Sequence, residues 1–237
     1  MRQERGVTGI VLAGGASTRF GSDKLTARID GRPLLQHAVD AVAPVSDEIV
    51  IVIGQGSEPP VESSRPVRMI RDADRFPGPR AGLLAGVEAA AYPLAVVAGG
   101  DMPWIRPAFL RALLDRLEAD DRGAAAPILY GILQPLPCAI RVAAVRVARG
   151  HRQGSLLALL EAAGVAPLAE LAWRDVDPLG GSLQDVDRPD DLAGPADLPL
   201  RGWVATWAKP AGRHPVGGTA AADRAGRDDP PTGPPAS

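Results

Sequence analysis

The chain alternates compact apolar runs with stretches of helical spacing. Gly9–Leu12, Glu48–Gly54 (EIVIVIG), Val67–Ile70 and Leu94–Ala98 (LAVVA) are short and mostly apolar, without an in-out alternation. That is the pattern of strands buried on both faces. Between them, Leu34, Leu35, Ala38, Val39 and Val42 recur at helical spacing behind Pro33, which suits a first helical turn. Leu83–Ala91 reads as a small-residue helix. Phe109, Leu110, Leu113, Leu114 and Leu117 mark an amphipathic helix with charges on its other face. Farther on, Ala124–Leu129 and Leu136–Val142 predict two more strands, with Gln134, Pro135 and Pro137 placing an edge or an irregular crossing there. Ser155–Ala163 predicts a helix with Gly164 behind it as C-cap, and Trp173–Val176 a last short strand. Asp30-Gly31 is a turn dipeptide. Strands alternating with helices predict an α/β fold, a mainly parallel sheet with helices on both faces.

From Arg201 onward the apolar spacing is lost and Pro and Gly accumulate. Residues 1–200 are therefore expected to form one domain and 201–237 a disordered tail. Trp203, Val204 and Trp207 offer the tail one turn that can dock.

Composition narrows the function classes. Apolar residues make up 46% of the 237-residue chain and charged residues 23%, ordinary for a globular protein. A formal net charge of −2 supplies no field toward nucleic acid or acidic membranes. Aromatic content of 4% argues against stacking platforms for single strands. No run approaches the roughly 20 apolar residues needed to span a bilayer, and no secretory signal precedes the first strand. Cys138 stands alone and lies in an apolar strand, so it reads as structural and permits no intrachain disulfide. A cytoplasmic location is the simplest expectation.

The chemistry collects in loops at the carboxyl ends of strands, where parallel sheets bind ligands. After the first strand come Ala13, Gly14, Gly15, Ala16 and Ser17, then Thr18, Arg19 and Lys24. Small residues let a backbone approach an anion, and the two cations neutralise phosphate charge. This loop is neither the mononucleotide P-loop, since Lys24 lacks its flanking Gly and Ser/Thr, nor G-x-G-x-x-G. Asp101 follows Gly99 and Gly100 at the end of a buried strand. It reads either as a turn or N-cap aspartate or as a ligand for magnesium, which takes one or two carboxylates plus substrate phosphates. Asp185 and Asp187 fall on one face if the chain around them is extended, and are possible further metal ligands. Pro189, Asp190 and Asp191 read as a helix start. No His or Cys spacing suits zinc, and no nucleophile is evident. Glycines, cations and aspartates are the parts of metal-assisted phosphoryl or nucleotidyl transfer, which needs positioning and charge rather than a covalent residue.

These residues resemble a known family. LAGGASTRFGSDK is similar to the L-A-G-G-x-S-x-R-M-G-x-D-K signature of small nucleotidyltransferases typified by the molybdenum cofactor guanylyltransferases. GRPLLQHAV, FPGPRAGLLAGVEAA, VVAGGDMPWI, QPLPCAIR and LQDVDRPDDL resemble that family's later motifs in order, over Gly9 to Leu192. The resemblance implies a Rossmann-like three-layer fold of the nucleotide-diphospho-sugar transferase type. It also implies Mg²⁺-dependent transfer of GMP from GTP to the phosphate of molybdopterin, with release of pyrophosphate. Leu12, Ala13, Gly14 and Gly15 would then hold base and ribose, and Arg19 and Lys24 the triphosphate and leaving pyrophosphate. Asp101 would hold the metal, with Asp187 or Asp185 at a second metal position or near the acceptor. Asp72 or Asp74, with Asp72 preferred, would contact the nucleotide. LAGG and GPRAG favour GTP over the CTP of cytidylyl relatives. Phe20 for Met, Arg80 for Leu, and aspartates at 185 and 187 for the common Asn are departures from the pattern. Rival readings are another base or acceptor, such as molybdopterin cytidylyl transfer or a sugar- or lactyl-phosphate acceptor, and a non-catalytic nucleotide-binding module.

Overall fold

Seven consecutive residues, Val7–Ala13, form the central strand β1, and all but Leu12 are buried. In the computed structural model, which describes residues 6–14, 27–54, 58–71, 78–150 and 154–194, this strand lies between two equally apolar ones. Glu48–Ile53 (β4) and Leu94–Gly99 (β6) pair with it in parallel and are buried at every position. Val67–Arg71 (β5) adds on beyond β4, also parallel.

On the other side of β6 the sheet changes sense. Cys138–Arg141 (β9) pairs antiparallel with β6 and with Ala124–Leu129 (β7), and Val165–Leu168 (β10) closes the edge parallel to β7. The order is β10-β7-β9-β6-β1-β4-β5, with the two-residue Ile132–Leu133 (β8) paired to β7, eight strands in all. Because β9 is antiparallel to both neighbours, β7 and β10 run in the same direction as β6. The carboxyl ends of β1, β4, β5, β6, β7 and β10 therefore share one sheet edge.

Helices cover both faces, which makes three layers. Leu34–Val42 (α1) connects β1 to β4, and Gly78–Ala89 (α2) runs back from β5 to β6. Right-handed crossovers in opposite directions along a sheet put these two helices on opposite faces. Pro107–Glu118 (α3) packs beside α1, while Val142–Ala148 (α4) and Leu156–Ala163 (α5) pack against α2. In α3, Pro107 occupies the first turn and the five apolar residues of the stripe are all buried. Each such side chain contributes roughly 1.5–3 kcal/mol relative to exposure. In α5, the Ser155 hydroxyl accepts the Ala158 N–H and Gly164, at φ +81°, follows the last turn as expected. The hairpin of Arg28–Ile29 (β2) and Arg32–Pro33 (β3) turns at Asp30 and Gly31, both at positive φ, as the turn dipeptide predicts.

Two expectations fail. Trp173–Val176 is not a strand: Glu170–Arg174 is a short helix, α6. The Trp173 indole N–H donates to the Ile128 carbonyl at 2.9 Å and its ring packs on Phe109, so tertiary contact sets this turn. The edge strand is instead β10, just upstream. Likewise the strand over Leu136–Val142 stops at Arg141, and α4 follows at once. Cys138 is fully buried, and burial pushes its thiol far above the ordinary range, so it is inert. The tail beyond Gly194 lies outside the described residues. Among those described, no helix is long and apolar enough to cross a membrane.

Candidate active site

Small residues let the carboxyl ends of β1 and β6 meet. The Gly100 N–H donates to the Leu12 carbonyl at 2.9 Å, and a Cβ on Gly14 would lie 3.5 Å from the backbone nitrogen of Gly54, just after β4. The first turn of α2 packs over the same place. A Cβ on Gly82 would sit 3.4 Å from the Leu12 side chain, so glycine here lets the helix approach β1 closely. Arg80 is half-buried in that turn. Arg71, at the end of β5, donates to the Gly54 carbonyl and pairs with Glu58.

Asp101 is the second residue after β6 and is half-buried. It lies in a turn in which the Met102 N–H donates to the Gly99 carbonyl. Gly99 makes room for its carboxylate: a Cβ there would be 2.5 Å from Asp101 Oδ1. Residues 184–187 run alongside this turn, and the Val186 N–H donates to the Asp101 carbonyl at 2.9 Å. Gln184 and Val186 are buried, so the alternate residues Asp185 and Asp187 face the other way. They face Asp101, and carboxylate oxygens of Asp101, Asp185 and Asp187 lie within 4.8 Å of one another.

The segment carrying the last two carboxylates is held from behind. Asp177 is 1% exposed and accepts the N–H groups of Gly181 at 3.3 Å and Ser182 at 2.7 Å. The Ser182 hydroxyl accepts the Arg106 N–H at 3.0 Å, and the Arg106 side chain lies 3.6 Å from Asp177. Asp191 Oδ2 accepts the N–H groups of Asp187 and Arg188 at 2.8 and 2.7 Å. Residues 189–193 form a 3-10 turn with Pro189 at its start, the role their sequence suggests.

Of the residues singled out from sequence, the structure brings Asp101, Asp185 and Asp187 together, and Gly100, next to Asp101, is bonded to Leu12 at the end of β1. Gly15, Arg19, Lys24, Asp72 and Asp74 lie outside the described residues. Neither Asp177 nor Ser182 stands out in the sequence, because their partners are mostly backbone N–H groups, which leave no trace in residue spacing. Asp191 is legible as part of a helix start but not as the acceptor of the Asp187 and Arg188 N–H groups, and Gly99 only as one of two glycines before Asp101.

Chemically, three converging carboxylates at the carboxyl edge of a parallel sheet form a set of hard oxygen donors. Within 4.8 Å, any two such carboxylates, when both are charged, repel by at least about 3.5 kcal/mol at an effective dielectric of about 20. A divalent cation is their natural complement.

Comparison with known proteins places the chain in a family. Residues 9–176 match the family model of the MobA-like NTP transferase domain. A probable molybdenum cofactor guanylyltransferase from Chloroflexus aggregans is 34% identical over 196 residues, covering 78% of this chain and 91% of that protein. A molybdenum cofactor guanylyltransferase from Burkholderia ambifaria is 41% identical over 122 residues, covering 48% of this chain and 59% of the relative. The crystal structure of molybdopterin-guanine dinucleotide biosynthesis protein A from Archaeoglobus fulgidus superposes with a TM-score of 0.63 at 23% identity, over 78% of this chain and 95% of that one. The 2-C-methyl-D-erythritol 4-phosphate cytidylyltransferase of Thermus thermophilus shares the fold with a TM-score of 0.56 at 20% identity, over 78% and 94% of the two chains. With residues 9–176 matching its model, the chain belongs to the MobA-like NTP transferase family and is a nucleotidyltransferase.

Proposed function

We propose that this protein is a molybdenum cofactor guanylyltransferase, which transfers GMP from GTP to the terminal phosphate of molybdopterin and releases pyrophosphate. The observation that carries the reading is the convergence of Asp101, Asp185 and Asp187 beside the end of β1. The names of the guanylyltransferase relatives support the choice of base and acceptor.

The donor set fits Mg²⁺, with Asp101 and Asp187 as ligands and Asp185 toward the acceptor or a second metal position. When bound there, the ion supplies charge neutralisation for phosphate oxygens. The chain's own residues do the rest. Leu12, Ala13, Gly14 and Gly15 hold base and ribose through the backbone, and Asp72 or Asp74, with Asp72 preferred, contacts the nucleotide. An oxygen of the acceptor phosphate attacks the α-phosphorus of GTP. A new P–O bond forms as the bond from the α-phosphorus to the bridging oxygen of the β-phosphate breaks, and the electron pair leaves with pyrophosphate. Arg19 and Lys24 neutralise the triphosphate and the departing pyrophosphate. No covalent intermediate is required, in keeping with the buried, inert Cys138. The domain proposed to do this spans 1–200, with 201–237 as a Pro/Gly/Ala-rich tail outside it, in the cytoplasm.

The test is direct. Purified protein is incubated with Mg²⁺, molybdopterin or its molybdenum form, and each NTP in turn, and pyrophosphate and dinucleotide are measured. GTP should support turnover. Turnover with CTP but not GTP refutes the base assignment. Binding of GTP with no pyrophosphate from any acceptor instead identifies a binding module.

A further inference from the structure

The three carboxylates come from two separate stretches of chain. Asp101 belongs to the loop between β6 and α3, and Asp185 and Asp187 to the segment after α6. Their mutual distance depends on how those stretches are fastened. One fastening is the Val186 N–H to the Asp101 carbonyl, inside the cluster itself. The other lies behind it. Arg106, five residues beyond Asp101, gives its backbone N–H to the Ser182 hydroxyl and its guanidinium to Asp177. Asp177 in turn holds the turn that leads to Asp185: Gly180 is left-handed at φ +67°, and the next two N–H groups both point at the Asp177 carboxylate. Asp177 and Ser182 are 1% and 0% exposed, so neither touches solvent or substrate.

We propose that Asp177, acting with Ser182 and Arg106, is a positioning residue that sets the spacing of the Asp101–Asp185–Asp187 cluster. The inference rests on reading that cluster as a divalent-ion site. A carboxylate suits the task better than an amide. It accepts two N–H bonds on two oxygens and pairs with the guanidinium, whereas asparagine keeps one acceptor oxygen and turns an NH₂ toward the other donor. Bonds to a charged acceptor are also roughly twice as strong as neutral ones. Groups that orient metal ligands in this way typically change metal affinity or activity about 10–100-fold when lost.

The experiment titrates Mn²⁺ into full-length protein by electron paramagnetic resonance, for wild type, Asp177→Asn, Ser182→Ala and Asp101→Asn. Turnover is followed in parallel against GTP and Mg²⁺. Asp177→Asn and Ser182→Ala should weaken Mn²⁺ about 10–100-fold and lower kcat at fixed Mg²⁺, with recovery at high Mg²⁺. KM for GTP should change less than about twofold, since neither residue faces the nucleotide in the proposed site. A merely structural role would lower thermal stability and leave the Mn²⁺ affinity of the folded fraction unchanged, which overturns the proposal. Where Asp177→Asn does not fold, Ser182→Ala, which removes one oxygen, decides alone. Wild-type protein that binds no Mn²⁺, or whose binding survives Asp101→Asn, refutes the metal reading and the positioning role with it. Binding lost in Asp101→Asn but intact in the other two refutes the positioning role alone.

Discussion

Gly99→Ala isolates position from chemistry. Gly99 ends β6, fully buried, and its φ lies outside the left-handed region, so alanine meets no backbone penalty. Its ideal Cβ would lie 2.5 Å from Asp101 Oδ1, 3.1 Å from Met102 Cγ and 3.3 Å from Met102 Sδ. Ordinary van der Waals contact begins near about 3.4 Å, so the carboxylate must retreat by about 1 Å, while the flexible Met102 yields by a few tenths. The atoms met belong to side chains and not to backbone, so the stability cost stays within the about 1–3 kcal/mol range for small-to-large changes. Gain from a stiffer unfolded chain offsets about 0.4–1 kcal/mol of it. Catalysis should suffer far more, because a misplacement of about 1 Å typically costs 10²-fold in rate. The assay is pyrophosphate release at saturating GTP and acceptor, together with urea denaturation of the same preparation. A variant that keeps wild-type kcat with its fold intact would show that the Asp101 carboxylate takes no part in the reaction, and the proposed site would be wrong.

Other perturbations probe different links. Asp101→Ala should abolish turnover while leaving the thermal transition cooperative; an unfolded variant would make Asp101 a structural turn residue, as circular dichroism would reveal. Gly86→Ala places a Cβ 2.6 Å from Ile10 Cγ2, between α2 and the central strand, where nothing flexible can yield. It should cost about 1–3 kcal/mol in chemical denaturation with little change in the KM for GTP of the folded protein. At the opposite edge of the sheet, burial raises the Glu48 pKa, but the Ala91 N–H, the Thr8 hydroxyl and Arg68 outweigh it and hold it below the ordinary 4.5. Since the folded value is the lower one, Glu48 stabilises the protein above about pH 4.5 and loses that contribution as pH falls through its folded value. In Glu48→Gln this acid-side loss should be smaller, and the variant should be less stable at pH 7 by about 1–3 kcal/mol. Parallel loss of stability on acidification in both proteins would contradict it.

Much of the architecture is local and therefore readable. β1, β4 and β6 are apolar at nearly every position because both faces of the sheet are covered, and the glycines at their ends mark where the backbone turns out. The α3 stripe and the Ser155 and Gly164 caps follow from helical geometry alone. The placement of Asp101 at a strand's carboxyl end was legible for the same reason. Short elements were not. β10 has four residues and contains Pro167, and α6 has five, too few for any period to show. α6 is a helix because Trp173 is anchored to Ile128 and Phe109, partners distant in sequence.

The sequence by itself determined an α/β fold of mainly parallel strands and an i, i+2 pair of aspartates able to share a face. Only the tertiary structure decided that this face meets Asp101. More than eighty residues separate the two stretches, and what joins them is backbone: Val186 N–H to Asp101, Arg106 N–H to Ser182, and the amides gathered by Asp177. Every residue except proline carries such an N–H, so its partner is chosen by the folded chain and not by the side chain that the sequence spells.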